Sequence, residues 1–185
     1  LFNKSDQKSG VNIKIEKNIP IGAGLGGGSS NAASTIIALN KLWGIDMNKS
    51  ELFEIGKTIG ADVPFFLYGN NAKAKGIGDQ LELNDSIKEN VLLIDPGINN
   101  SSGEMFNLLD LWRKTNKGVS NHAQNSFWDI FLNQNKNIEE FYLTISHNYD
   151  LKLSGSGSCM FITYDKEKEL EEILKKIPTN WRFFY

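Results

Sequence analysis

The amino-acid sequence predicts an α+β protein with a second, small sheet, on three observations. An alternating apolar stretch, "VNIKIEK", runs into a glycine loop and then into a helical repeat. A buried-strand run, "VLLID", follows further along. The last third reads as strand, "SGSGS", strand, helix and strand. Strands and helices therefore mix without a regular βαβ alternation.

Val11, Ile13 and Ile15 alternate with Asn12, Lys14 and Glu16, the period of a half-buried strand over residues 11–17. Beyond the loop, Ala32, Ala33, Ile36, Ile37, Leu39 and Trp43 recur at helical spacing up to Gly44, with Ser29, Ser30 or Asn31 as the expected N-cap. A second helix starts near Asn48, where Asn48 and Glu51 form a capping box, and ends by Gly60. In "GADVPFFLYG", Pro64 disfavours helix at Val63, so a turning connection through Asp62 into a short strand ending at Gly69 is expected. "AKAKGIGDQLEL" reads as a hairpin or a loop with strand character, and "VLLID" as a buried strand stopped by Pro96 and Gly97. Helices are expected in "SSGEMFNLLDLWRK", capped by Ser101 or Ser102, and in "NIEEFYLTISH", with the polar loop "TNKGVSNHAQNS" between them. The aromatic cluster "WRFFY" reads as the core face of a terminal strand. A boundary between Leu83 and Asn90 divides the chain into domains 1–86 and 87–185.

The 185 residues carry 20 basic and 22 acidic side chains mixed along the chain, a formal net charge of −2. No basic stripe suggests a nucleic-acid partner, and no run approaches the roughly 18 apolar residues of a membrane span. The single Cys159 excludes an internal disulfide framework and a multi-thiolate metal site, and a reducing, cytoplasmic setting is expected. Cys159 itself reads as a small buried hydrophobe, and His122 and His147 as exposed loop histidines. The chain opens on Leu1 rather than Met, so it is expected to begin inside a longer protein.

The richest signal is "PIGAGLGGGSSNAA", residues 20–33. Glycines without Cβ let backbone N–H groups converge on an anion, and the following helix N-terminus adds partial positive charge. The natural guest is a phosphate. The hydroxyls of Ser29 and Ser30 and the amide of Asn31 add donors. Gly22 to Gly27 satisfies G-x-G-x-x-G, yet the acidic strand end that a dinucleotide fold needs about 20 residues on is missing. A Walker A loop needs lysine where Gly28 is followed by Ser29, and no protein-kinase catalytic loop or D-F-G motif is present. A dinucleotide-dependent oxidoreductase is correspondingly disfavoured.

The same stretch, starting at Pro20, resembles the second motif of the GHMP kinases (galacto-, homoserine, mevalonate and phosphomevalonate kinases), and "LSGSGSCMF" at 153–161 resembles their third, glycine-rich motif. The resemblance covers the whole chain, most clearly residues 11–83, and "ALNKLW" and "IGADVPFFLYG" add to it. It implies a two-domain fold, a ribosomal-protein-S5-like ATP-binding domain, here partial, followed by a ferredoxin-like C-terminal domain. It also implies ATP-dependent phosphorylation of a small-molecule alcohol, here of the cytidyl-diphosphate sugar-alcohol class.

By that resemblance Asp62 is the catalytic aspartate that positions and deprotonates the substrate hydroxyl. Lys17, Pro20, Gly22, Ala23, Gly24, Leu25, Gly26, Gly27, Gly28, Ser29, Ser30 and Asn31 bind ATP. Gly76, Gly78, Gly155, Ser156 and Gly157 line the substrate or order phosphates. Mg2+ is implied by the bound triphosphate, with no protein ligand assigned beyond the Ser29 and Ser30 hydroxyls. The family's first motif, a strand bearing a lysine and an asparagine, has no match in the 185 residues. "NSFWDIF", from Asn125, stands where the family has an Asn-Asp-Leu-like helix start. The alternatives are another GHMP small-molecule kinase and a catalytically silent nucleotide-binding fragment.

Overall fold

The computed structural model describes residues 10–76, 78, 80–84, 89–115 and 125–185. They form two compact units, one from segments 1–17 and 26–87 and one from segments 18–25 and 88–185. The chain therefore passes from one unit to the other in the middle of its glycine run, between Leu25 and Gly26.

The first unit holds three helices, α1 (Gly27–Leu42), α2 (Lys49–Ile59) and α3 (Val63–Tyr68), and the antiparallel hairpin β1 (Ala72–Lys75) and β2 (Gln80–Leu83). Its core is Ala33 and Ile36 of α1 against Val63 and Leu67 of α3, with Leu52, Phe53 and Ile55 of α2 packed on them. The expected capping box starts α2: Glu51 N donates to Asn48 Oδ1 at 3.1 Å and Asn48 N to Glu51 Oε2 at 3.0 Å. Gly56 lets α2 approach α3 closely, since a Cβ there would lie 2.7 Å from Leu67 Cδ1.

Two expectations fail here. Residues 11–17 form no strand, and Ile13 and Ile15 are 56% and 53% exposed. Alternation prepares a chain for a ladder, but a strand needs a neighbour to take its N–H and C=O groups. None of the described residues pairs with this one. The strand expected before Gly69 is instead helix α3, with Pro64 in its first turn. A proline costs nothing there because its missing N–H would have no intrahelical partner, and Val63 and Leu67, one turn apart, then share the face that α1 covers. Gly69, at φ 73°, ends the helix in the left-handed region.

The second unit is built on β3 (Asn90–Asp95), α4 (Ser102–Thr115), α5 (Trp128–Gln134), α6 (Lys136–Ile145), β4 (Lys152–Leu153), β5 (Met160–Tyr164), α7 (Glu167–Leu174) and β6 (Arg182–Phe184). The sheet order is β4-β5-β3-β6, antiparallel throughout. Strand, helices, hairpin, helix and strand in this order give the ferredoxin-like topology that the sequence led us to expect. Leu92 pairs with Ile162 and Ile94 with Met160, and all four are fully buried, whereas Val91 on the opposite face is 46% exposed. Phe131, Ile138, Ile145 and Ile173 from three helices complete this core. The terminal strand departs from expectation. Trp181 joins the core at 8% exposure, but Phe183, Phe184 and Tyr185 are 42%, 37% and 73% exposed, because β6 is an edge strand.

The polar loop expected at 115–126, His122 included, lies largely outside the described residues. His147 is exposed and Cys159 fully buried, as expected. No helix among the described residues is long and apolar enough to cross a membrane.

Candidate functional site

In the first unit the functional side chains gather at the start of α1. Gly26 is the N-cap, in the left-handed region at φ 63°, and a Cβ there would lie 2.9 Å from the Phe66 ring. The helix begins at Gly27, so Ser29 and Ser30 lie inside its first turn rather than capping it. This corrects the expected cap: a left-handed glycine turns the chain earlier than a serine side chain would. Ser30 N donates to Gly26 O at 2.9 Å, closing the first turn, and no side chain caps the end. The N–H groups of Gly27, Gly28 and Ser29 precede the first intrahelical bond and so have no carbonyl within the helix to meet. Around Gly28 there is open space where a Cβ would stand.

Lys17 adds a cation to this end. Its Nζ lies 3.5 Å from where a Cβ on Gly27 would project. An ammonium beside the positive end of a 16-residue helix is unfavourable unless an anion joins them.

Ser29 Oγ comes within 4.0 Å of the Cβ position of Gly60, which places the α1 start against the segment carrying Asp62. Asp62 occupies the N-cap position of α3 in the αR region, yet its side chain makes no cap hydrogen bond and is exposed. Its carboxylate is therefore not consumed by the helix that it precedes. The hairpin turn closes on the same segment: a Cβ on Gly78 would lie 3.7 Å from Ala61 O. Gly76 and Gly78 both adopt positive φ, 66° and 98°, and shape that turn. Within this unit, then, Lys17, Gly26 to Ser30, Asp62 and Gly78 come together. Asn31 is half-buried in the second turn of α1.

The second unit joins the other half of the glycine run to the third glycine segment. Pro20 and Ala23 are buried, and each glycine between them and Leu25 has positive φ, 66° at Gly22 and 76° at Gly24. Asn100 N donates to Gly22 O at 3.3 Å, Cys159 N to Ala23 O at 3.1 Å and Ser154 Oγ to Gly24 O at 2.9 Å. A side chain on Gly24 is excluded where the segments cross, since a Cβ there would lie 2.0 Å from Ser154 O. Gly155 also approaches from its side, its Cβ position being 3.0 Å from Gly24 O.

Sequence reasoning missed three polar residues that hold this second arrangement. Asn100 Nδ2 donates to Ser156 O at 3.4 Å, and the hydroxyls of Ser102 and Ser156 are 2.9 Å apart. Asn125 Nδ2 reaches the carbonyls of Leu153 and Gly155 at 2.9 and 2.8 Å. Asn125 left a trace in the sequence, in the Asn-Asp-Leu-like position, and Ser102 only as a candidate helix cap. Behind the loop, Ser158 Oγ donates to Ile98 O, and burial pushes the Cys159 thiol up to about 12, the charge of Asp95 adding to the shift and Arg182 opposing it. Arg182 Nε and Nη2 both donate to Asp95 Oδ2, at 2.9 and 2.6 Å, which satisfies a carboxylate that is only 2% exposed.

No cluster of three histidine, cysteine, aspartate or glutamate side chains suited to a metal occurs among the described residues.

Comparison with known proteins shows what the chain is similar to. Residues 1–70 match the model of the GHMP kinases N terminal domain. The chain is 36% identical over 184 residues to a 4-diphosphocytidyl-2-C-methyl-D-erythritol kinase of Marinomonas sp., covering 97% of this chain and 60% of the relative. Kinases of the same name from Herminiimonas arsenicoxydans and Wigglesworthia glossinidia brevipalpis are 34% and 37% identical, over 97% and 98% of this chain and 65% and 62% of theirs. The chain thus spans about three-fifths of the length of these curated relatives. A crystal structure of 4-(cytidine 5'-diphospho)-2C-methyl-D-erythritol kinase superposes with a TM-score of 0.77 at 25% identity, over 99% of this chain and 72% of that one. The uncapped glycine start of α1 and the ferredoxin-like second sheet agree with these likenesses: the chain is similar to the GHMP kinases, whose N-terminal domain its first 70 residues match.

Proposed function

We propose that the protein carrying this chain is an ATP-dependent kinase that phosphorylates the 2-hydroxyl of 4-diphosphocytidyl-2-C-methyl-D-erythritol, a step of the non-mevalonate isoprenoid pathway, in the cytoplasm. One observation carries the reading: Lys17 and the bare, uncapped start of α1 lie in the same unit as the unengaged carboxylate of Asp62. Phosphoryl transfer to an alcohol asks for that combination, positive groups on the phosphates and one carboxylate to orient and deprotonate the hydroxyl. The relatives' shared name supplies the substrate.

In this reading the N–H groups of Gly27, Gly28 and Ser29 receive phosphate oxygens, Lys17 neutralises the charge, and Asp62 accepts the hydroxyl proton. Pro20, Gly22, Ala23, Gly24, Leu25, Gly26, Ser30 and Asn31 complete the nucleotide loop. Gly76, Gly78, Gly155, Ser156 and Gly157 serve the substrate or the phosphates. A magnesium ion fits a donor set made mostly of phosphate oxygens with the Ser29 and Ser30 hydroxyls, and it would supply charge neutralisation between the phosphates. Domains 1–86 and 87–185 carry the nucleotide and the C-terminal functions respectively.

The test is transfer of labelled γ-phosphate from ATP to 4-diphosphocytidyl-2-C-methyl-D-erythritol, with mevalonate and homoserine alongside. Preferential labelling of the cytidyl compound is expected. Preferential labelling of mevalonate or homoserine would contradict the substrate, and no labelling in the complete natural protein would contradict the kinase.

A further inference from the structure

The third glycine segment is short of internal hydrogen bonds. Ser154 N donates to Cys159 O and Gly157 N to Ser154 O, both at 2.9 Å, and these frame the turn without touching the carbonyls of Leu153 and Gly155. Both carbonyls are taken by one side chain, Asn125, whose Nδ2 lies 2.9 and 2.8 Å from them. Its Oδ1 accepts from Phe127 N at 2.9 Å, so the amide's orientation is fixed: turned over, it would set oxygen against two carbonyls.

Asn125 is itself anchored. Its carbonyl accepts from Trp128 N at 3.1 Å at the start of α5, and Trp128 and Phe131 are 2% and 0% exposed in the core. Gly155, by contrast, is a glycine at φ 54°, whose peptide would turn freely without an anchor. The carbonyl that comes closest to Gly24 is that of Ser154, which lies between the two carbonyls that Asn125 holds.

We infer that Asn125 is a positioning residue: it fixes the Leu153–Gly155 backbone and, through Ser154 Oγ on Gly24 O, the conformation of the Gly22–Gly24 half of the nucleotide loop. The inference rests on the proposed function only in calling that loop nucleotide-binding. The amide, tied to the start of α5, bridges the two carbonyls that flank Ser154, which neither Ser102 nor Asn100, each on Ser156 alone, does.

Asn125→Asp keeps the shape, removes both donors and puts negative charge against two carbonyls, while Asn125→Ala removes the group outright. Amide hydrogen exchange is followed across 153–159 and across the β3–β5 ladder, with affinity for a non-hydrolysable ATP analogue by calorimetry, in the natural protein carrying this chain. In the aspartate variant the amides of Ser154, Gly157 and Cys159 should exchange about tenfold faster, those of Leu92 and Ile162 should not change, and the analogue should bind about tenfold more weakly. Unchanged exchange at 153–159, or acceleration equal in loop and ladder, would overturn the inference. A wild-type protein that binds no analogue would contradict the proposed function instead, and the exchange measurement would still decide the part played by Asn125.

Discussion

Ser154 Oγ donates to Gly24 O at 2.9 Å, linking residues 130 apart in the chain. The bond exists because Gly24 carries no side chain at the crossing, where a Cβ would stand 2.0 Å from Ser154 O. Gly24→Ala therefore combines a left-handed backbone at φ 76° with a backbone clash. A loss of about 2–4 kcal/mol in denaturant unfolding is expected. Gly28→Ala is the contrasting change, in a helix and in open space, and should stabilise by about 0.5–1 kcal/mol.

Lys17 should act with opposite signs on folding and on binding. Its ammonium beside the α1 start is unfavourable in the unliganded chain, by about 0.3–1 kcal/mol at low salt, and favourable once phosphates lie between them. Lys17→Met is expected to leave stability equal or slightly higher and to weaken ATP binding about tenfold. Calorimetric titration and thermal unfolding on the same samples check both signs.

The Cys159 thiol is raised from 9.0 to about 12, so the folded chain holds its proton where the unfolded chain releases it. Its contribution to stability is complete below pH 9.0 and is lost as pH rises toward about 12. Unfolding free energy measured between pH 8 and 10.5 should fall more steeply in wild type than in Cys159→Ala. Equal slopes would show the thiol to be exposed to solvent.

What could be read from the sequence was local. Asn48 and Glu51 sit in one turn, and Gly76 and Gly78 sit in one hairpin, so α2 and β1–β2 were visible in short windows. In the second unit the strand around Leu92 and Ile94 was visible as a short apolar run, whereas the ferredoxin-like topology was implied only by the resemblance to the GHMP kinases. The failures have a shared cause in distant partners. The alternation at residues 11–17 says nothing of whether a neighbour exists. α3 displaced the expected strand because Val63 and Leu67 face α1, a contact that Pro64 in isolation hides.

The candidate site was legible to a similar depth. The glycine run could be named from its motif, and Lys17 and Asp62 from the resemblance to the GHMP kinases, whereas the start of α1 at Gly27 depended on Gly26 turning left-handed against Phe66. Asn125 acts on carbonyls 28 and 30 residues away, and only the folded chain brings them to it.

Asp62 offers the most direct test of the central claim. It is exposed and caps nothing, so Asp62→Asn should leave thermal unfolding where it is. If Asp62 accepts the hydroxyl proton, transfer of phosphate from ATP to 4-diphosphocytidyl-2-C-methyl-D-erythritol should fall by about 10²–10⁴ in kcat, with ATP affinity little changed. Wild-type turnover in the Asn variant would contradict that role and leave the unengaged carboxylate without a chemical purpose.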